Sequence, residues 1–254
     1  MKFIRERILN GERMFAIAAQ LGSSITVEMI GNAGFDWTWI DCEHGSGDYS
    51  DLVHQVQVAR LGDAPAIVRI PNNDPTTFKR VLDLGAAGIM VPYVNTAAEA
   101  KQAALSTRYQ PEGIRGVAGS PPCCGFAQNF DDYYAKANDN LVTMVQIETV
   151  EAVDNVDEIA AVPGVDVLFV GPFDLSINMG IIRQFKNPDF EANLDKVVAA
   201  CKKHGKAPGI LTPTMEFLPP WIEKEFSVFV VGSDSINLAK VFGELHGQCA
   251  EFKA

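Results

Sequence analysis

The sequence predicts a single α/β domain folded as a (β/α)8 barrel across residues 1–254, and three observations lead there. Eight short apolar or β-branched runs alternate with helix-like segments. The runs are nearly continuous in apolar character, as strands of a parallel sheet covered on both faces must be. Eight such runs in 254 residues is the strand count of a closed barrel. A doubly wound open sheet is the alternative, but it wants a glycine fingerprint after its first strand. FAIAAQLGSS offers only Gly22 there.

The runs are MFAIAA near 14–19, WTWID near 37–41, AIVRI near 66–70 and GIMVPYV near 88–94. They continue with LVTMVQIE near 141–148, VDVLFVG near 165–171, APGILT near 207–212 and FSVFVVG near 226–232. Cap signals mark the helices between them. Asn72, Asn73 or Asp74 opens one, with Pro75 at a favoured first-turn position. Thr96 opens TAAEAKQAALSTR. The longest interruption, between 109 and 140, holds YQPEGIRGVAGSPPCCGFAQNF. Counted as following the fourth strand, it is expected on the catalytic face. The C-terminal helix, about 235–250, places Ile236, Val241, Phe242 and Leu245 near helical spacing. That stripe suits either contact with another subunit or packing on its own barrel.

Composition narrows the function. A hydrophobic content of 47% supports one sizeable core. A net charge of −11 argues against a nucleic-acid partner and against an anionic membrane surface. It leaves anionic substrates open, because a local cation inverts the field inside a cleft. MKFIRERILNGERMF lacks the long apolar run of a signal peptide, and no segment approaches the ~18 unbroken apolar residues of a membrane span. Five cysteines without CxxC spacing read as reduced thiols of a cytoplasmic protein. Cys123 and Cys124 read as loop thiols rather than as a redox pair.

A barrel does its chemistry at the C-terminal ends of its strands. The second strand, in FDWTWIDCEHGS, ends in Asp41, Glu43 and His44. The third carries Arg69, and the fifth ends with Gln146 and Glu148. The sixth runs into GPFDLS with Asp174, and the last two end in Thr212 and in Ser233 with Asp234. Of four histidines, only His44 stands at a strand end, which marks it as an acid/base candidate. Asp41 is placed to accept from one of its ring nitrogens, or only to cap the turn. Glu148 and Asp174 end consecutive strands, so they should be spatial neighbours. Two facing carboxylates need a proton or a cation between them, and a hard divalent ion such as Mg2+ or Mn2+ suits oxygen ligands. Asp174 could instead be a helix N-cap. Arg69 inside an apolar strand needs an anion, either a bidentate carboxylate or an enolate oxygen. No lysine falls at a strand's C-terminal end, and Lys206 precedes the seventh strand. Schiff-base chemistry is therefore disfavoured.

IDCEHG, VRIP, VQIE and VGPFDLS, in this order and with the GIRGVAGS loop, resemble the HpcH/HpaI aldolases, the metal-dependent pyruvate aldolases. The resemblance runs from about residue 10 to about 245. It implies a barrel of the phosphoenolpyruvate/pyruvate type, assembled as a hexamer with the last helix exchanged between subunits. It implies that Glu148 and Asp174 bind Mg2+ or Mn2+, with Co2+ or Zn2+ as alternatives. His44 and Asp41 would form an acid/base dyad, and Arg69 would stabilise an enolate. Gln146 would lie against a bound keto acid of pyruvate or oxaloacetate type, with its carboxylate on the N–H groups of Phe173 and Asp174. Glu43 would take only an orienting role. The reaction implied is reversible cleavage of a 4-hydroxy-2-oxo acid into pyruvate and an aldehyde. Phe173 departs from the family's small residue, and either narrows the pocket or repacks the loop. SPPCCGFAQNF also departs from the pattern, where the aldehyde half is expected to be contacted. Oxaloacetate decarboxylation, or carbon–carbon bond formation from the same enolate, is the alternative on this site. A CoA-ester lyase lacks an evident basic patch. A non-catalytic keto-acid-binding barrel would be expected to lack at least one of Glu148, Asp174, Arg69 or His44.

Overall fold

The computed structural model describes residues 3–250 and 252. Strands β1 (Met14–Ala19), β2 (Trp37–Asp41), β3 (Ala66–Arg69) and β4 (Gly88–Val91) are followed by β5 (Val142–Ile147), β6 (Val167–Val170), β7 (Ala207–Leu211) and β8 (Val228–Ser233). They pair in chain order, all parallel, and β8 closes onto β1. This is the (β/α)8 barrel the strand rhythm predicts, and the eight strands fall on the eight apolar runs.

Helices α1 (Arg5–Leu9), α2 (Ser24–Asn32), α3 (Tyr49–Leu61), α4 (Pro75–Leu84) and α5 (Ala97–Thr107) lie between the early elements. Helices α6 (Phe130–Asn140), α7 (Val150–Asp154), α8 (Val156–Ala160) and α9 (Pro172–Asn178) follow. Then come α10 (Pro188–His204), α11 (Leu218–Glu223) and α12 (Asp234–Ala250). The caps act as the sequence suggests. Asp74 accepts from the N–H of Thr76, with Pro75 next to it, and Thr96 forms a capping box with Glu99. Among the described residues, no helix is long and apolar enough to cross a membrane.

Two cores result. The outer one lies between strands and helices, and includes Phe78, Phe190 and Trp221. The inner one fills the barrel, where Trp37, Trp39 and Phe169 meet the small residues Ala16, Ala18 and Ala207. A Cβ at Gly209 would stand 2.6 Å from the Phe169 ring, so glycine there makes room for the aromatic. Ile4 and Ile8 join this inner cluster and stopper the N-terminal mouth. The barrel interior is thus packed with side chains, and its N-terminal mouth is closed.

One expectation is corrected. The 109–140 segment follows α5, not β4, and so enters the barrel from the N-terminal side. The helix opened by Thr96 completes the β4–α5 unit before the segment begins. Arg115 is bound to Asp83 in the last turn of α4 at 2.7 Å and to Tyr133 Oη at 3.0 Å. Cys124 Sγ donates to the carbonyls of Pro121 and Gly119. Burial pushes the Cys123 thiol up to about 11, and the five cysteines are all free.

Helix α12 does not fold back on its own barrel. Ile236, Val241, Phe242 and Leu245 are 65%, 47%, 63% and 52% exposed. Of the two readings of the stripe, packing on its own barrel is not the one adopted.

Candidate active site

Strand parity brings the polar strand ends together. Side chains two residues apart share a face. Trp37 and Trp39 point into the barrel, and so therefore does Asp41; Ile67 is followed in the same way by Arg69. Met144 leads to Gln146 and Glu148, and Phe169 leads to Gly171. Above the Trp39–Phe169 floor, where the two rings meet edge to face at 5.8 Å, lies a cavity of about 610 Å³. Its lining includes Gln20, His44, Arg69, Gln146, Phe173 and Asp174. Residues 109–130 contribute nothing to it.

Arg69 finds its anion within the chain. Its Nε and Nη2 donate to Asp41 Oδ1 and Oδ2 at 2.9 and 2.7 Å, a bidentate pair of the strong kind. Nη1 faces Glu43 Oε2 at 3.0 Å, and the guanidinium lies 4.6 Å above the Trp39 ring. Three of its five N–H groups are therefore spent and two remain. Asp41 also accepts from the backbone N–H groups of Glu43 and His44 and from Gln20 Nε2 at 3.0 Å. Burial works to raise the Asp41 pKa, but Arg69, Gln20 and the His44 N–H hold it below the usual carboxylate range. With both oxygens so occupied, Asp41 is a fixed counter-ion rather than a base.

The expected contact between Asp41 and the His44 imidazole is not the one formed. His44 projects at the cavity rim, and its Nε2 is 3.9 Å from Glu43 Oε2. The residue that meets the ring is Glu43. Burial raises the Glu43 pKa against the pull of Arg69 and His44.

Glu148 and Asp174 are joined by a residue that sequence reasoning missed. Tyr93 donates its backbone N–H to Glu148 Oε1 at 2.8 Å and its hydroxyl to Asp174 Oδ1 at 3.4 Å. Its φ of 50° is uncommon for a non-glycine residue and marks local strain of the kind found at functional sites. A left-handed tyrosine leaves no mark in sequence. Asp174 lies in the first turn of α9, whose N-cap is Gly171, so Asp174 is free of the capping role. Leu175 is the residue whose N–H bonds back to Gly171 O, which leaves the first-turn N–H groups, Phe173 and Asp174 among them, without helical partners.

These residues fit a hard divalent cation. Burial, with the charges of Asp174 and Glu43, pushes Glu148 up to about 7, even against the Tyr93 N–H. A cation would remove that cost. Gln146 Nε2 donates to Glu148 Oε2 at 3.0 Å, which leaves the buried Gln146 Oε1 without a partner. Among the described residues no three His, Cys, Asp or Glu side chains converge. Two carboxylates suffice for an ion that completes its shell with water and substrate oxygens. Gly171 makes the room, because a Cβ there would overlap the Glu148 carboxylate. This glycine stands in the VGPFDLS motif and was legible in principle.

Phe173 both lines the cavity and packs outward, edge to face on Phe185 at 5.4 Å. The bulk is therefore absorbed partly by the loop. Thr212 is structural, with its hydroxyl on Val230 O. Asp234 accepts from the N–H groups of Gln20 and Leu21 and anchors α12 to the end of β1.

A family model described as HpcH/HpaI aldolase/citrate lyase matches residues 15–239. The 5-keto-4-deoxy-D-glucarate aldolase of Salmonella arizonae is 42% identical over 214 residues, 84% of this chain and 83% of the relative. Two crystal structures superpose closely. An HpcH/HpaI aldolase/citrate lyase family protein from Burkholderia cenocepacia gives a TM-score of 0.91 at 33% identity, over 97% of this chain and 98% of that one. The HpcH/HpaI aldolase from Desulfitobacterium hafniense gives 0.92 at 30% identity, over 99% and 98%.

Proposed function

The chain belongs to the HpcH/HpaI aldolase/citrate lyase family, and we propose that its cavity cleaves a 4-hydroxy-2-oxo acid reversibly to pyruvate and an aldehyde. It is an aldolase, a carbon–carbon lyase that depends on a divalent metal. The observation that carries the site assignment is the Glu148–Tyr93–Asp174 bridge, set beside the unpaired carbonyl of Gln146.

Glu148 and Asp174 would hold the ion, Mg2+ or Mn2+ by preference, which supplies Lewis-acid polarisation of the 2-oxo group. The chain's own residues do the rest. The backbone N–H groups of Phe173 and Asp174 receive the substrate carboxylate, and Gln146 lies against the keto acid. His44, or a water it activates, takes the 4-hydroxyl proton, with Glu43 orienting the ring. The C3–C4 bond breaks, the aldehyde leaves, the electron pair stays as a pyruvate enolate, and one proton delivered to C3 converts it to pyruvate and balances the proton taken from the 4-hydroxyl. The two spare N–H groups of Arg69 face the developing charge. Asp41 holds Arg69 in place, which refines its role from dyad partner to positioning anion. A cavity of about 610 Å³ has room for an aldehyde half as well as pyruvate, which favours aldol cleavage over decarboxylation of a compact keto acid.

Two further assignments belong to the same proposal. The exposed apolar stripe of α12 supports a homo-oligomer in which this helix is exchanged between subunits, a hexamer by family resemblance. Five free cysteines suit a reducing, cytoplasmic compartment.

The test is pyruvate release by metal-stripped protein, with and without Mn2+ or Mg2+. 5-Keto-4-deoxy-D-glucarate, the compound in the relative's name, is assayed first, with oxaloacetate alongside. Metal-restored pyruvate from the hydroxy-oxo acid is expected. Turnover of oxaloacetate alone would move the assignment to a decarboxylase.

A further inference from the structure

The end of β1 carries a polar side chain with no part in the reaction above. Gln20 lies between Asp41 and the first turn of α12. Its Nε2 donates to Asp41 Oδ2 at 3.0 Å. Its Oε1 accepts from Ser235 Oγ at 3.0 Å. Ser235 Oγ is 3.0 Å from Ser233 Oγ, and Ser233 Oγ in turn accepts from the Ile236 N–H at 3.2 Å.

The direction of every proton in this chain is fixed by its end. An ionised Asp41 only accepts, so the Gln20 amide must present its NH2 there and its carbonyl to Ser235. Ser235 spends its hydroxyl proton on that carbonyl, so Ser233 must donate to Ser235. The sequence of donors therefore runs one way, from the Ile236 N–H through Ser233, Ser235 and Gln20 to Asp41. Asp234 clamps the same turn from the backbone side, through the N–H groups of Gln20 and Leu21 and the Thr26 hydroxyl.

We propose that Gln20 is a positioning residue for the reaction: its amide locks the Asp41 carboxylate in the orientation that aims Arg69 at the enolate, and Ser235 at the root of α12 sets that amide. The inference rests on the aldolase reading of the cavity. Gln20 acts through Asp41 and Arg69, so its loss should slow the step in which charge develops and leave ground-state binding alone. Partners that orient metal ligands from behind typically carry about 10–100-fold in activity, and the same scale is expected for a group that orients the Asp41–Arg69 pair.

The test uses the full-length oligomer and three variants. Gln20→Ala is expected to lower kcat about 10-fold or more, with KM for the hydroxy-oxo acid within about two-fold. Ser235→Ala is expected to fall between it and wild type. Gln20→Glu supplies a readout that a merely structural role would not move. Protonated, its carboxyl reproduces the amide's polarity, with O–H toward Asp41 and C=O toward Ser235. Ionised, it sets a second negative charge against Asp41. The other charged or titratable groups of the cavity it lines are His44, Arg69, Asp174 and Lys240, with Glu43 beside Arg69 and Asp234 on the Gln20 backbone N–H. The ratio of Gln20→Glu to wild-type kcat should therefore be highest at acid pH and fall as pH rises. This ratio stays readable even where Gln20→Ala folds poorly. A Gln20→Ala enzyme with wild-type kcat, or a Gln20→Glu ratio flat with pH, overturns the role of Gln20. A wild type that releases no pyruvate removes the aldol reading itself, and this inference with it.

Discussion

Gly171 and Glu148 share one space: a Cβ on residue 171 would overlap the Glu148 carboxylate and stand 3.0 Å from Glu148 Cβ. Gly171→Ala must therefore displace the buried carboxylate, because the new Cβ would take its place. Overpacking of this kind costs about 1–3 kcal/mol. The larger effect falls on the metal, because Glu148 is one of two proposed ligands. Titration of Mn2+ into the variant, followed by the paramagnetic signal of the free ion, should show affinity lowered at least 10-fold. Wild-type affinity would mean that Glu148 does not hold the ion.

Glu148 also sets a pH dependence whose sign is the reverse of the usual carboxylate case. Its folded pKa is raised from 4.5 to about 7, chiefly by burial. The stability this shift contributes is fully present below pH 4.5 and is lost as pH rises from there through about 7. Metal-free protein should then lose about 3 kcal/mol across that window. Glu148→Gln, which cannot ionise, should melt above the metal-free wild type at pH 8 and close to it at pH 4.5. Added Mn2+ should stabilise the wild type at pH 8 and leave Glu148→Gln unchanged. A metal-free wild type equally stable at both pH values would contradict the burial argument.

Arg69 is expected to matter to folding as well as to rate. Its partner Asp41 is fully buried and Arg69 nearly so. Removing one member of such a pair strands the other charge, at about 3–5 kcal/mol. Loss of a preorganised charge partner costs on the order of 100-fold in rate. Arg69→Ala should therefore show both a lower denaturation midpoint and a kcat reduced by that order. Arg69→Lys restores charge without the bidentate fork and should recover stability only in part. A fully active Arg69→Ala would remove Arg69 from the enolate site.

The architecture was legible because it is written in patterns. Eight apolar runs gave eight strands, and parity within them placed Asp41, Arg69, Gln146 and Glu148 inside the barrel. What escaped depends on geometry that no pattern encodes. Tyr93 enters the site through its backbone N–H on Glu148, its hydroxyl on Asp174 and a left-handed φ, a placement that no strand or helix pattern encodes. Gln20 matters only because β1 and β8 are neighbours, 215 positions apart at its Ser235 contact. Counted from β4, the 109–140 segment falls at the catalytic end; counted from α5, which already closes the β4 unit, it falls at the opposite face. His44 was paired with Asp41 on proximity in sequence, yet Asp41 is already saturated by Arg69 and backbone N–H groups.

Phe173 should tune which aldehyde is accepted. Its ring lines the cavity and rests on Phe185. Phe173→Ala gives up an edge-to-face contact worth about 1 kcal/mol and widens the cavity. The backbone N–H proposed to hold the carboxylate remains. In the synthetic direction, KM for pyruvate should stay within about two-fold, while bulkier aldehydes gain relative to small ones. An unchanged aldehyde preference would mean that the bulk serves only the packing of the loop.

Helix α12 carries apolar side chains that its own barrel leaves largely exposed. Phe242 is 63% exposed and Val241 and Leu245 are about half exposed, a contiguous stripe that water disfavours. The first turns of the same helix line the cavity through Ile236, Asn237 and Lys240. An exchanged helix would thus couple assembly to the shape of the site. Phe242→Asp places a charge in the stripe and should lower the solution mass measured by light scattering, without unfolding the barrel, whose inner and outer cores exclude α12 beyond its root. Activity per chain should fall with the mass. An oligomer of unchanged mass in Phe242→Asp, and again after deletion of residues 235–254, would defeat the exchange and leave the stripe without an assembly role.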